Sequence, residues 1–309
     1  MMRGLLLVTR LLAMLATLLG VSLMVFLLMQ AIPGDPVDAM LGERASGADR
    51  SALRRALGLD ASLPEQLRRY YGGLLAGDWG RSLQTQEPIL DMLAARAPGT
   101  LLLAGSAVLF ALLLALPLGV WSALRPDRLP DHFAGAVALA GGAVPGFILG
   151  PVLIVVFAVW LGWAPVGGAD TRGSVVLPAL TLAIGMAAVL SRQLRAALLE
   201  VLREDFMRAA RARGLGHAAA LWRHGLRNAA IPVLTVLGMQ LGALLGGAVI
   251  TETVFSWPGL GTLTMEAIER RDYPLLQGCV LVISAAYVII NRLTDLITAW
   301  CDPRIDWSG

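Results

Sequence analysis

The side chains that carry out catalysis in enzymes are few in this sequence, and their spacing does not suit a reaction centre. The three histidines, His132, His217 and His224, are scattered and form no HExxH pattern of the kind that binds zinc. All 25 basic residues are Arg, so the chain has no GxxxxGK[ST] loop, whose lysine contacts nucleotide phosphates. The sequence shows no nucleophile triad and no paired catalytic carboxylates. We therefore predict no catalytic residue, no metal site, no cofactor bound by this chain and no ATP hydrolysis of its own.

The spacing that does stand out is a pattern of charges and small residues at 204–216, EDFMRAARARGLG. Glu204 and Asp205 open a helix-forming stretch, where carboxylates interact favourably with the N-terminal helix dipole. Gly214 then suits a left-handed residue that ends the helix. One face has small residues in its middle, which would let a partner approach closely; it comprises Phe206, Ala209, Ala210 and Arg213. The pattern predicts a short, rigid docking helix.

The rest of the chain has the composition of a membrane protein. It is 57% hydrophobic and only 15% charged, against about 25% charged in a soluble domain, and its mean hydropathy is +0.69. Six apolar segments are long enough to cross a bilayer; they are 10–31, 99–124, 133–161, 175–198, 229–253 and 274–299. The first ends in IPGDP and not in a signal-peptidase site, so we interpret it as a retained span. The sequence thus predicts an all-α integral membrane protein with six spans.

The distribution of arginine predicts the orientation of these spans. With the N-terminus inside, 14 arginines are cytosolic and only 3 lie in short outer loops, since the rule discounts the long loop after the first span. Both termini are therefore expected in the cytosol. The loop between spans four and five contains eight arginines against three carboxylates. The basic pI of about 9.3 follows from this topology and gives no reason to expect nucleic-acid binding.

We divide the chain into 1–31 with the first span, an extracytoplasmic subdomain at 32–98, a transmembrane core at 99–300 and a cytoplasmic tail at 301–309. The core includes a cytosolic coupling loop at 199–228. In the subdomain, Ser62 and Glu65 form a capping-box pattern, and that helix should end at Gly72–Gly73 or Gly77. A second short helix at 87–98 should stop at Pro98.

Several intramembrane and outer residues have more than one interpretation. The loop 254–273 is either a lid over a pathway or an ordinary extracellular loop. Glu252 either lines an outer gate or reaches interfacial water. Arg292 and Asp295 are spaced to pair on one helix face. Other expectations are a kink in span three, from Pro145, Gly146 and Pro151, and no disulfide between Cys279 and Cys301.

The stretch RAARARGLG followed by LRNAAIP resembles the coupling motif of ATP-binding-cassette importer permeases of the dipeptide/oligopeptide/nickel family. Ala209, Ala210 and Gly214 match the general motif, whereas Arg208 replaces its usual Glu. His224, Arg227 and Asn228 match the RHxLRNAxxP extension of this family. Further similar stretches occur in the expected order, at 20–36, 77–82, 257–261, 270–278 and 302–305.

The resemblance implies that the chain is a permease subunit in a bacterial inner membrane. Its partners would be a second homologous permease, two ATPase subunits that bind ATP and Mg²⁺, and a substrate-binding protein. The implied ATPase-coupling residues are Asp205, Arg208, Ala209, Ala210, Arg211, Gly214, Leu215, His224, Arg227 and Asn228. The implied outer gate or lid residues are Glu252, Trp257, Pro258, Gly259, Gly261, Asp272 and Tyr273.

The cargo stays open at this point. Di- or oligopeptides are the first expectation, because they are the commonest cargo in the family, and the alternatives are nickel, a metallophore or glutathione. An ATP-independent transporter or channel would predict intramembrane carboxylates for ion coupling or an inverted repeat, and neither is recognisable. A membrane-bound enzyme would need a reactive cluster, which is likewise not recognisable.

Overall fold

The computed structural model describes residues 2–31, 37, 47–56, 60–169, 171 and 173–301. Within these ranges the chain is helical and has no strand, only an isolated antiparallel bridge between Arg81 and Pro88. The all-α prediction is therefore confirmed for the described part. The IPGDP motif at 32–36 and the DPRI motif at 302–305 lie outside the described residues, as do the side chains of His217 and Cys301.

The described helices are numbered here in chain order. They are α1 (Met2–Ala31), α2 (Gly47–Ala56), α3 (Leu63–Leu75), α4 (Ile89–Leu124), α5 (Leu129–Ala143), α6 (Gly146–Leu153, continued by a π-helical segment Ile154–Trp160), α7 (Val176–Val201), α8 (Asp205–Ala212), α9 (His217–Ala220, continued by a π-helical segment Leu221–Gly225), α10 (Leu226–Val254), α11 (Leu260–Glu269) and α12 (Tyr273–Cys301).

Five of the described helical stretches are long and apolar enough to cross a membrane. They are Leu12–Met29, Ile89–Leu124, Val176–Val201, Ala218–Val254 and Tyr273–Ala299. The pair Leu129–Ala143 and Gly146–Trp160 would make a sixth span, but it is bent by 104°. The structure thus has five or six candidate spans at the predicted places, and the exact six-span topology stays a prediction.

The bend in the third predicted span has a local cause. Val144 is extended, as expected for a residue before proline, where the helical conformation is sterically disfavoured. Pro145 is the N-cap of α6, and its carbonyl accepts the N–H groups of Ile148 and Leu149 at 2.9 and 3.0 Å. Pro151 lies inside α6 without ending it. The predicted kink is therefore confirmed, although it is a break between two helices and much sharper than a kink.

The prediction that Pro98 ends a separate short helix is wrong. Helix α4 continues from Ile89 to Leu124, about 54 Å at 1.5 Å per residue. A proline removes one helical hydrogen bond, but membrane-spanning helices tolerate this. Side chains on both flanks are also buried, with Ile89 and Leu93 before the proline and Leu103 and Ala107 after it. Packing on each flank outweighs the local preference of the proline.

The chain divides into two compact units. The first comprises residues 1–98 and 259–286, and the second comprises 99–258 and 287–309. The core of the first unit joins α1, the first turns of α4, α11 and the start of α12. The central residues of that core are Met29, Ile89, Leu93, Leu260, Leu263, Ala267, Leu275, Leu276 and Cys279. The finer division at 31, 98 and 300 stays a prediction.

The capping box predicted in the first unit does not form. Ser62 occupies the N-cap position of α3 but makes no side-chain cap bond. Glu65 instead accepts from Arg68 and Arg69 at 2.9 and 3.0 Å, because residues three and four positions apart are neighbours on a helix surface. These two hydrogen bonds lower the pKa of Glu65 to about 2. The helix ends at Leu75, and Gly77 follows in the left-handed conformation, as the glycine pattern predicted.

Helix α7 is the central element of the second unit, and more than half of the residues in its most apolar stretch are buried. Its neighbours approach closely at glycines. A Cβ on Gly119 of α4 would lie 2.9 Å from the carbonyl oxygen of Ser191, and one on Gly141 of α5 would lie 2.9 Å from Ile184 Cγ2. These contacts leave little room for α4 or α5 to slide against α7, which continues directly towards α8.

Candidate docking site

The predicted docking helix is present as α8. It spans Asp205–Ala212, with Glu204 as N-cap and Arg213 as C-cap. The carbonyl of Glu204 accepts the N–H groups of Met207 and Arg208 at 3.1 and 3.3 Å. Asp205 pairs with Arg208 at 3.2 Å, but both side chains are highly exposed, so this pair adds little stability. Its charges are free for a partner to engage.

The end of α8 is a complete Schellman motif. The N–H of Gly214 donates to the carbonyl of Arg211 at 2.9 Å, and the N–H of Leu215 donates to that of Ala210 at 3.3 Å. Gly214 has φ +89°, a conformation that other residues adopt only with strain. The predicted glycine stop is confirmed, and it fixes the direction in which the chain leaves the helix.

One part of the predicted docking face is wrong. Ala210 is only 1% exposed, as is Met207, so both side chains are buried within the chain. Phe206, Ala209 and Arg213 are exposed as expected, with Phe206 at 40%. The periodicity of the sequence assigned Ala209 and Ala210 to the same face of the helix, because adjacent residues are only about 100° apart around the helix axis. The spacing of Met207 and Ala210, i and i+3, was the signal that identifies the inward face.

The chain after the Schellman motif presents a second exposed surface. In the π-helical segment Leu221–Gly225, Leu221 and Gly225 are buried, whereas Trp222 is 71% exposed. Arg227 and Asn228 are also exposed, and the Asn228 amide donates to the carbonyl of His224 at 2.8 Å. Sequence reasoning missed Trp222, a single large aromatic residue among charged neighbours. π-Helical turns inside α-helices are frequent at functional sites.

The predicted outer residues divide between the two units. In the second unit, Glu252 is fully buried and its Oε1 accepts from the Thr100 hydroxyl at 2.6 Å. The interpretation that Glu252 reaches interfacial water is therefore wrong. Trp257 is also buried, and its indole N–H donates to the carbonyl of Gly99 at 2.9 Å. A Cβ at Gly99 would collide with the Pro258 carbonyl, so this approach requires glycine.

In the first unit, Asp272 is the buried polar residue on which two stretches of the chain converge. Its carboxylate accepts the Ser82 hydroxyl at 2.5 Å and the N–H of Leu275 in the first turn of α12 at 3.3 Å. Beside it, the Gln84 amide donates to the carbonyl of Arg270 at 3.1 Å. Tyr273 begins α12 and is half-buried. Asp272 thus connects the 77–82 stretch to the 270–278 stretch.

The segment between Trp257 and Asp272 has regular structure. Gly259 is the N-cap of α11, and its N–H donates to Thr262 Oγ1 at 3.0 Å. Gly261 is buried in the first turn of that helix. The segment 254–273 is therefore a turn, a helix and a second turn with buried residues, and its role as a lid stays a prediction. Within the ranges described, no three or more His, Cys, Asp or Glu side chains are grouped as a metal site would require.

Comparison with known proteins gives matches along the whole chain. The family described as binding-protein-dependent transport system inner membrane component matches residues 115–307, and the N-terminal family of such components matches 1–104. The chain is 40% identical over 301 residues to the glutathione transport system permease protein GsiC of Escherichia coli (strain K12), covering 97% of this chain and 98% of that protein. It is 41% identical to the protein of the same description from Pectobacterium atrosepticum, with the same coverage.

Similarity to solved structures concerns the fold alone. An inward-facing structure of the MetNI methionine ABC transporter aligns with a TM-score of 0.60 at 20% identity. The alignment covers 70% of this chain and 99% of that chain. The fold of the aligned part of the chain is thus one already seen in a membrane transporter.

Proposed function

Because the chain belongs to the binding-protein-dependent transport system inner membrane components, we propose that its helix α8 docks on an ATPase subunit and passes the movement of that subunit to the membrane spans. The chain is a permease subunit of an ATP-binding-cassette importer and a multi-pass inner-membrane protein, and it is not itself the ATPase. The observation that carries the docking proposal is the form of α8. It begins after Glu204 and ends in a Schellman motif, and it is buried within the chain at Met207 and Ala210 and exposed at Phe206 and Ala209.

The exposed residues of α8 have the chemistry of a specific contact. Phe206 supplies an apolar anchor, Ala209 permits close approach, and Arg208 and Arg211 supply charge. Ala210 is buried, so it would support α8 through packing within the chain and would not itself contact the ATPase. Trp222, Arg227 and Asn228 form the second exposed surface, in the segment that follows α8, and would extend the contact with the ATPase. His224 and Leu215, which are half-buried, support it.

The movement would pass through α7. Only a short turn separates Val201, the last residue of α7, from α8, and α7 packs tightly on α4 and α5. Closure of two ATPase subunits, each holding ATP and Mg²⁺, would draw α8 of this chain towards its counterpart in a second, homologous permease. Tightly packed helices move as rigid bodies, so the spans would tilt together and alternate the access of the pathway.

The proposed topology places both termini and α8 in the cytosol, with six spans and an extracytoplasmic subdomain at 32–98. A substrate-binding protein would dock on that subdomain and on 254–273. Two hydrogen bonds support this, one from Ser82 to Asp272 and one from Gln84 to Arg270. They hold part of the subdomain and part of the segment 254–273 together. Glu252, Trp257 and Pro258 remain candidates for the outer gate.

For the cargo we propose a small peptide, with glutathione as the first candidate. The two relatives compared above are glutathione permeases at 40% and 41% identity, and glutathione is itself a tripeptide, so it falls within the peptide class expected from the sequence. Nickel and metallophores are the second class. Uptake of labelled glutathione, a dipeptide and nickel by the reconstituted complex with its binding protein would separate these cargoes.

The docking proposal can be tested by photo-crosslinking in the intact complex. A benzoylphenylalanine at Phe206 should crosslink to an ATPase subunit, because this side chain faces outward from α8. The same photoreactive residue at Leu139, which is also exposed (66%) but lies in α5, serves as the control. Crosslinking of both positions to the ATPase, or of neither, would refute the docking of α8.

A further inference from the structure

The carboxylate of Asp131, in the first turn of α5, is the centre of a polar cluster outside the docking helix. Arg195 Nε donates to Asp131 Oδ1 at 2.6 Å, and Arg195 Nη2 donates to Oδ2 at 2.5 Å. The Ser122 hydroxyl also donates to Oδ1, and the Asp127 N–H donates to Oδ2 at 2.9 Å. Two parallel N–H···O bonds from one guanidinium make this pairing directional as well as charged.

The carboxylate at the centre of the cluster is buried, and the cluster holds a strained connection. Asp131 is only 8% exposed, so its charge requires the partners it has. Asp127, in the connection between α4 and α5, has φ +59°, an unfavourable conformation for a residue with a Cβ. That conformation aims its N–H at Asp131. Such strain persists only where surrounding contacts over-determine the backbone, and it is often found at functional sites.

The position of the cluster links three helices that lie at one end of the second unit. Ser122 is in the last turn of α4, Asp131 is in the first turn of α5, and Arg195 is in α7. Arg195 precedes the end of α7 at Val201 by about 9 Å of helix rise. A displacement of α8 would therefore reach Arg195 before it reaches the apolar middle of α7.

A neighbouring arginine shows that charge alone does not explain the cluster. Arg192, one turn earlier on α7, is exposed and makes no ion pair with any residue in the part of the chain that the structure describes. An arginine that served only to orient the protein in the membrane would need no partner. Arg195 instead makes both hydrogen bonds of a guanidinium fork to one enclosed carboxylate.

We propose that the Asp131–Arg195 pair is a positioning clamp that transmits the displacement of α8 through α7 to α4 and α5, so that ATP hydrolysis is converted into transport. This inference rests on the proposed docking of α8. With the clamp intact, the three helix ends move as one body. Without it, the last turns of α7, which lie beyond the glycine contacts at Ile184 and Ser191, shift relative to the ends of α4 and α5, and less of the movement reaches those two spans for each ATP hydrolysed.

The test uses the complete complex in proteoliposomes, with ATP hydrolysis and cargo uptake measured on the same preparation. The variant Arg195→Gln removes the fork, and Arg195→Lys keeps the charge but not the fork geometry. We expect uptake per ATP hydrolysed to fall about tenfold in Arg195→Gln and by less in Arg195→Lys. The matched control Arg192→Gln, which removes the same charge from the same helix, should leave the ratio unchanged. A purely structural pair would lower the amount of complex but not this ratio.

A second variant covers the case in which Arg195→Gln does not assemble. Ser122→Ala removes only one of the hydrogen bonds to Asp131 and should lower the ratio while the complex stays intact. An unchanged ratio in every assembled clamp variant, or an equal fall in Arg192→Gln, would overturn the clamp. If the ATPase still crosslinks at Phe206 in such a preparation, only the clamp fails. If that crosslink is absent from the unaltered complex, the docking proposal itself fails.

Discussion

Ser82 and Asp272 are 190 residues apart in sequence and are joined by a buried hydrogen bond, from the Ser82 hydroxyl to Asp272 Oδ2 at 2.5 Å. The first residue ends the stretch GDWGRS and the second belongs to RRDYP, two stretches that the sequence presents as separate motifs. Ser82 Oγ also accepts the N–H groups of Gln84 and Thr85, so one hydroxyl organises its own turn and holds the other stretch. Both motifs therefore describe one structural feature of the first unit.

Replacement of Asp272 by Ala should lower stability markedly. It removes the N-cap bond to Leu275 and leaves the Ser82 hydroxyl without its acceptor, and together these cost about 2–4 kcal/mol. The measurement is the thermal unfolding midpoint of the purified protein in detergent. Asp272→Asn keeps an acceptor oxygen and should lose much less. A midpoint of Asp272→Ala equal to that of the parent would contradict this role.

Replacement of Gly214 by Ala should impair transport through the backbone alone. No atom lies within 4 Å of a Cβ built at Gly214, so the substitution meets no clash, but its φ of +89° would strain any residue with a Cβ by about 1–2 kcal/mol. Gly216 has equally open surroundings and no such φ, so Gly216→Ala is the matched control. We expect slower uptake in Gly214→Ala, normal uptake in Gly216→Ala and no uptake in Gly214→Arg. Normal uptake in Gly214→Arg would rule out the assigned role of this turn.

Replacements of the adjacent residues Met207 and Phe206 should have opposite effects. Met207 is buried, so Met207→Ala should destabilise the protein by about 2–5 kcal/mol through the cavity it leaves. Phe206 is exposed, so Phe206→Ala should leave stability nearly unchanged but weaken binding of the ATPase about tenfold. Thermal unfolding and co-purification of the ATPase measure the two effects. If Phe206→Ala binds the ATPase as tightly as the parent protein does, α8 is not the contact.

Replacement of Trp222 by Ala tests the part of the surface that the sequence pattern did not indicate. Its side chain is 71% exposed, so its removal should not affect folding. If the surface of α8 continues into this segment, the ATPase should bind roughly as weakly as to Phe206→Ala, because large aromatic side chains often carry much of a binding energy. The same co-purification assay measures it. Full binding would limit the contact to α8.

Local features of the fold followed from the sequence because their causes are local. Apolar length located the spans, Gly214 located the end of α8, and Pro145 located a bend. The size of that bend and the continuation of α4 through Pro98 depend on packing. Periodicity alone likewise did not distinguish Ala209 from Ala210. Ala210 is buried by residues from other parts of the chain, whereas Ala209 is exposed, and this difference arises only in the folded structure.

Pairs of distant residues could not be read from the sequence at all. Asp131 and Arg195 are 64 residues apart, and nothing in their immediate neighbours indicates that they meet. Arg195 had the appearance of one more arginine in a basic loop. The same holds for Thr100 and Glu252, whose hydrogen bond explains a buried carboxylate that sequence reasoning interpreted either as a gate or as a boundary residue.

The most direct test of the account is to purify the tagged chain gently from its own membrane and assay the eluate for vanadate-sensitive ATP hydrolysis. The account predicts such activity, with ATPase subunits and a second permease co-eluting with the parent chain, and weaker ATPase retention in Phe206→Ala. An ATP-inert homo-oligomer recovered from intact membranes would contradict it. In that case α8 would be a basic membrane anchor and not a docking helix.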